Sequence, residues 1–136
     1  MDGLAALLPP TSRRGLILID PSYEIKSEYE IVVDRLIQLH KKFSYGIFAL
    51  WYPVVDRRRI ERIEKKLITS DIRNIQRFEL GIADDTAERG MTSSGIIVIN
   101  PPWQLYEKMS LLLPKLARQI TSGERAVYKC DVLCSE

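Results

Sequence analysis

Residues 14–23 read Arg14-Gly15-Leu16-Ile17-Leu18-Ile19-Asp20-Pro21-Ser22-Tyr23. Four consecutive aliphatic residues between a glycine and an Asp-Pro turn describe a short parallel strand buried on both faces, because a strand with one wet face would alternate. Helical patterning follows. Ser27 with Glu30 three residues later reads as a capping box, and Val32, Leu36, Leu39 and Phe43 recur at the helical period. The same order then repeats. Gly46-Ile47-Phe48-Ala49-Leu50-Trp51 reads as a strand ending before Pro53, and Asp56 can cap a helix whose apolar stripe is Ile60, Ile63 and Leu67. Further strands are expected over 74–82 and 95–99, separated by a polar connection. A helix is expected over 103–120, kinked or interrupted by Pro114, and a last strand over 127–132. This order predicts an α/β domain, the second half of a doubly wound, mostly parallel, Rossmann-like sheet with an antiparallel final strand. The glycine-rich turn that opens the first half of such sheets does not occur, since no G-x-G-x-x-G or P-loop spacing is present. With Met1-Asp2-Gly3 running straight into an apolar stretch, the chain is expected to be part of a longer one.

A length of 136 residues suits one domain, 1–136. With 46% apolar and 28% charged residues, disorder and collagen-like architecture are excluded as readings. No apolar run approaches the length of a membrane span, and no secretory signal opens the chain. Cys130 and Cys134 suit a reducing cytoplasm. With one histidine, His40, far away in sequence, they fall short of the four ligands of a structural zinc, and no metal is predicted. The net charge of +2 is too small to argue for a nucleic-acid partner by itself. The local excess of Arg and Lys over 56–66 carries more weight. Arg57, Arg58 and Arg62 are the candidate phosphate contacts, and a solvated helix face is the other reading of this run.

Two strands end alike, in Asp20-Pro21-Ser22-Tyr23 and in Asn100-Pro101-Pro102-Trp103. Asp or Asn, proline and an aromatic form the recurring turn of methyltransferases that act on exocyclic amino groups. The chemistry explains the residues. An adenine N6 lone pair is delocalised into the ring. A carboxylate or amide oxygen accepts one N6 hydrogen, the next backbone carbonyl accepts the other, and the lone pair is freed to face a methyl donor. Proline withholds a competing N–H, and the aromatic stacks on the extruded base. Such a turn after a strand also serves as plain punctuation. By letters the Asn100 turn is the better copy. By topology Asp20 is preferred, because three further strands follow it, as in the doubly wound sheet. Asn100 is then a structural or base-flanking turn.

Residues 14–24, 49–54 (Ala49-Leu50-Trp51-Tyr52-Pro53-Val54), 90–95 (Gly90-Met91-Thr92-Ser93-Ser94-Gly95) and 98–103 occur in series. Together they resemble the blocks of the bacterial large-subunit ribosomal RNA adenine N6-methyltransferase family (RlmJ-like), over essentially the whole chain and over the C-terminal half of that family's protein. The resemblance implies the C-terminal part of a class I S-adenosylmethionine-dependent methyltransferase domain that methylates an adenine N6 in 23S rRNA. It implies that Asp20 is catalytic and near the methyl donor, that Pro21 supplies the accepting carbonyl and that Tyr23 stacks the base. Asp2 and Gly3 match the family's cofactor-binding Asp-Gly pair; a frayed terminus is the other reading.

The chain departs from the family pattern at Ser22, where a second proline is usual, so a softened turn is expected. Trp51 and Tyr52, at the end of the second strand, either wall the base pocket and touch RNA or pack in the rim. Tyr45 and Phe48 are expected in the core, and Thr92, Ser93 and Ser94 in a solvated loop. The competing function is a non-catalytic RNA-binding or interaction fragment that lacks the cofactor-binding half.

Overall fold

The computed structural model of the chain describes residues 2–86, 88, 90–121 and 125–136, Asp2 by its backbone only. Nine elements follow in the order α1 (Asp2–Leu7), β1 (Leu16–Ile19), α2 (Glu28–Lys42), β2 (Ile47–Val54), α3 (Arg57–Ile68), β3 (Ile75–Gly81), β4 (Ser93–Ile99), α4 (Leu105–Ile120) and β5 (Val127–Cys134). No helix among the described residues is long and apolar enough to cross a membrane.

The alternating strand and helix patterns produce a mixed five-stranded sheet of order β1-β2-β4-β3-β5. Only β1 and β2 pair in parallel; the β2–β4, β4–β3 and β3–β5 ladders are all antiparallel. The expected mostly parallel pairing is therefore corrected. Strands β1, β2 and β3 do run the same way, but the chain after β3 returns as β4 into the gap between β2 and β3, so this one inserted strand pairs antiparallel on both sides. The final strand is antiparallel, as expected.

One face of the sheet carries Ile17, Ile19, Phe48, Leu50, Tyr52, Ile97 and Ile99, packed under Val32, Leu36 and Leu39 of α2 and Ile60, Ile63 and Leu67 of α3. On the other face Phe78 and Val98 meet Leu113 of α4. Two ion-pair systems pin α3 to the sheet: Arg57 bonds Glu79 of β3, and Arg77 of β3 bonds both Glu64 of α3 and Asp131 of β5. Strand β1 pairs with β2 only, and Leu16 and Leu18 are 67% and 64% exposed. The continuous aliphatic run thus has one dry face, not two, among the described residues.

Local readings are adjusted by packing. Ser27 has helical dihedrals and makes no side-chain cap; Glu28 instead accepts from the Ile25 N–H and the Ser22 hydroxyl. Asp56 does cap α3, accepting from the Arg58 N–H at 3.1 Å. Strand β2 runs on through Pro53 because β1 ends opposite Leu50, leaving the proline only one neighbour strand. Helix α4 continues through Pro114, with Leu113 and Ala117 buried on either side of it. Thr92 and Ser93 are buried at the start of β4, and Tyr45 is exposed against the edge of Phe43.

Gly95 lies beside Tyr52 and Glu79, and a Cβ there would overlap the Tyr52 ring. Gly95→Ala is expected to destabilise the chain by about 3 kcal/mol through overpacking, measured by urea denaturation. A loss under about 0.5 kcal/mol would show that Tyr52 has room to move.

Candidate active site

The C-terminal ends of β1 and β2 form one rim, where ligands of open α/β sheets usually sit. Asp20 stands there, exposed, one residue past Ile19, which pairs with Leu50. Among the described residues no side-chain hydrogen bond or ion pair engages its carboxylate. Pro21 is half-buried beside it.

The turn then closes on an aromatic lock. Tyr23 has a positive φ of 55°, a conformation that costs a non-glycine residue about 1–3 kcal/mol and persists where its surroundings enforce it. The Tyr23 hydroxyl donates to the Trp51 carbonyl at 2.6 Å, and its ring lies 4.6 Å from Tyr29 and 6.1 Å from Trp51. Burial pushes the Tyr23 hydroxyl pKa up, with Tyr29, Asp20 and Glu28 adding to the effect, so it stays a donor. At 8% exposure the Tyr23 ring is buried against Tyr29 and Trp51. Trp51 is the half-exposed aromatic of this rim. Ser22, in place of a proline, donates to the Glu28 carboxylate at 3.2 Å, tying the turn to the start of α2. This bond offsets the softening expected there.

Tyr23→Phe is expected to cost about 1 kcal/mol of stability through loss of one hydrogen bond. Denaturant titration reads it, and unchanged stability would mean that the Trp51 carbonyl finds another donor.

The Asn100 turn lies at the opposite end of the sheet, because β4 runs antiparallel. Its amide donates to the carbonyls of Ser44 and Gly46 at 2.8 and 3.0 Å, and its N–H donates to Asn74. Asn100, at a φ of 54°, is a structural turn. Trp103 beyond it is 92% exposed.

Burial and ion pairing correct two further expectations. Tyr52 is 0% exposed, facing the core against Gly95, so its ring cannot touch RNA. Arg57 is half-buried, and its guanidinium is already engaged by Glu79 and Asp85, each at 2.8 Å, so its charge is met without phosphate. Burial works against its charge, but those two carboxylates more than offset this and raise its pKa. Arg58 and Arg62 are exposed on α3. Gly3 lies within α1, and an added Cβ there would meet no atom within 4 Å, so its backbone is open to close approach.

The sequence reading missed Lys26 and Tyr29 and did not single out Arg59 within the basic run over 56–66. With Ser27, Glu30, Asp56, Arg58, Arg62 and Lys66 they line a groove of about 640 Å³ between α2 and α3. The signal available was the pairing of the two helices, each of which starts just after a strand ending at the same rim.

These features define a mixed α/β protein with an acid-proline turn at the mouth of its parallel pair. The chain belongs to the family described as ribosomal RNA large subunit methyltransferase D, RlmJ, whose model matches residues 1–131. It is 53% identical over 113 residues to ribosomal RNA large subunit methyltransferase J of Escherichia coli, covering 83% of this chain and 40% of that protein. Against the protein of the same name from Haemophilus influenzae it is 48% identical over 115 residues, covering 85% and 41%. The crystal structure of protein LPL1258 from Legionella pneumophila superposes with a TM-score of 0.87 at 36% identity, over 96% of this chain and 48% of that one. The chain thus spans about two fifths of the curated relatives it matches.

Proposed function

We propose that this chain is the C-terminal part of a class I, Rossmann-like S-adenosylmethionine-dependent methyltransferase domain that methylates an adenine N6 in 23S rRNA. The observation that carries the reading is the exposed Asp20, unpaired among the described residues, on a turn locked by the Tyr23–Trp51 hydrogen bond. A locked turn keeps an acceptor in place without reorganisation at the moment of reaction, which is where most electrostatic catalysis comes from. Asp20 accepts one N6 hydrogen and the Pro21 carbonyl accepts the other, so the nitrogen lone pair is turned out of the ring plane. Tyr23 backs the turn from inside, and Trp51 offers aromatic surface to the extruded base. Arg58 and Arg62 hold backbone phosphates.

The residues present fit one side of a methyl-donor site: the Asp20 carboxylate suits a cationic group, and the open Gly3 backbone allows close approach, with Asp2 next to it in sequence. When bound, S-adenosylmethionine supplies an electrophilic methyl. Among the described residues β1 has a free edge, which fits a further strand, and an uncovered face at Leu16 and Leu18, which fits a covering element; the remaining length of the relatives would supply both and carry the rest of that site.

The test joins residues 1–136 to the remaining part of the Escherichia coli relative, in cells lacking that relative. N6-methyladenosine in 23S rRNA, read by mass spectrometry, is the expected result. Unmodified rRNA from a folded, expressed fusion would reject the reading. The open β1 edge also favours a second reading for the isolated chain, an RNA-binding fragment without a donor site. Calorimetric titration separates the two: heat with S-adenosylmethionine supports the first, and RNA binding without it the second.

A further inference from the structure

We propose that the groove between α2 and α3 carries the sugar–phosphate backbone of the RNA that flanks the target nucleotide. This rests on the methyltransferase reading above for the choice of RNA as the occupant. Five cations line the groove, Lys26, Arg58, Arg59, Arg62 and Lys66, against Glu30 and Asp56 in its lining and Asp34, which pairs with Lys66 at 2.7 Å; Arg58 and Arg59 reach Asp56 at 3.5 and 3.7 Å. Asp56 is already engaged as the α3 cap, where desolvation works against its charge but the Arg58 N–H and the charges of Arg58 and Arg59 together outweigh it and hold its pKa low. The cap also occupies the helix N-terminus, so side chains and not backbone N–H groups face a ligand here. The surplus of cations attracts an anionic polymer, and phosphate contacts of this kind fix register without reading bases.

Continuity with the Asp20 turn identifies what lies in the groove. Lys26 and Ser27 stand in the segment that leaves the turn, and Asp56 and Arg58 stand where β2 hands over to α3, so the groove opens at the same rim. Tyr29 joins the two places, since its ring contacts Tyr23 of the turn and lies 5.4 Å beneath the Arg59 guanidinium. A strand whose adenosine is held at Asp20 therefore has its neighbouring phosphates at the mouth of the groove. Lys26, Arg58 and Arg62 are exposed, Arg58 at 82% of its side chain, and stand ready to contact them.

The experiment is fluorescence anisotropy of the chain with a hairpin RNA bearing an unpaired adenosine, across a salt series. The variant is Lys26→Gln, Arg58→Gln, Arg62→Gln. The control is Lys108→Gln, Lys115→Gln, Arg118→Gln on α4, which removes the same net charge from the other face of the sheet. The groove variant is expected to weaken binding about 10²-fold near 0.1 M salt and to flatten the slope of log K against log salt by about 2. The control is expected to stay within about twofold of the parent, and circular dichroism is expected to show all three folded, since every changed side chain is exposed. An unchanged slope, an equal loss in the control, or no RNA binding by the parent at low salt overturns the groove. Competition by polyglutamate as strong as by RNA overturns RNA as its occupant. Asp20→Ala is expected to leave this slope intact, so failure of the methyl-transfer reading leaves a different signature from failure of the groove.

Discussion

Asp20→Ala, in the fusion that restores the full length of the relatives, is expected to lower methyl transfer to unmodified 23S rRNA by about 10²–10³-fold, the usual cost of losing one preorganised polar group at a reacting centre. Stability is expected to stay within about 0.5 kcal/mol of the parent, because the carboxylate is exposed and makes no side-chain bond among the described residues. Asp20→Asn is expected to keep more of the rate, since an amide oxygen still accepts one hydrogen bond. The comparison that sharpens the result is Asn100→Ala. Its amide closes two carbonyls across the other end of the sheet at positive φ. Its loss is expected to cost about 1–3 kcal/mol of stability, with the rate per folded molecule unchanged. Equal rates for Asp20→Ala and its parent, or a lost rate for a still-folded Asn100→Ala, would reverse the assignment of the two turns.

The proposed assignment rests on the order of strands and helices along the chain, which was legible in the sequence, and not on the pairing directions, which were not. The letters alone favoured Asn100. The Asp56 cap was legible for a related reason: side-chain caps are local, and Asp56 meets its N–H within two residues. Ser27 failed by the same local chemistry. Glu28 was within reach of both Ser22 and the Ile25 N–H, and the chain entered the helix without a cap. What the sequence hid was which polar residues turn inward. Arg57, Arg58 and Arg62 look alike in a string, yet Arg57 alone lies opposite Glu79 across the layer, a partner 22 residues away. The antiparallel return of β4 was hidden too, because a continuous aliphatic run reads the same in either direction. Lys26 and Arg59 entered the groove only once α2 and α3 were packed side by side.

The buried partner of Arg57 sets the largest stability effect expected for a single substitution. Glu79 is 2% exposed, on the central part of β3, and its charge is met from α3 by Arg57 at 2.8 Å. Arg57→Met leaves that carboxylate in the core without its cation, which is expected to cost about 3–5 kcal/mol, whereas replacing both partners, Arg57→Met with Glu79→Met, removes the stranded charge and recovers most of the loss. Denaturant titration of the parent, the single and the double variant reads both values. A cost under about 1 kcal/mol for Arg57→Met would mean that water reaches Glu79. The acid limb gives an independent check. The hydrogen bond from Arg57 holds the Asp85 carboxyl below its ordinary pKa, against a smaller upward push from burial. As pH falls, the unfolded chain takes up that proton first. The stabilisation is therefore complete above about pH 4, the ordinary carboxylate value, and is lost as pH falls through the lower folded value. In Arg57→Met the depression shrinks to what the charge of Lys129 supplies, and the stability profile below about pH 4 is expected to be flatter than the parent's. A profile as steep as the parent's would place the acid sensitivity in groups other than Asp85.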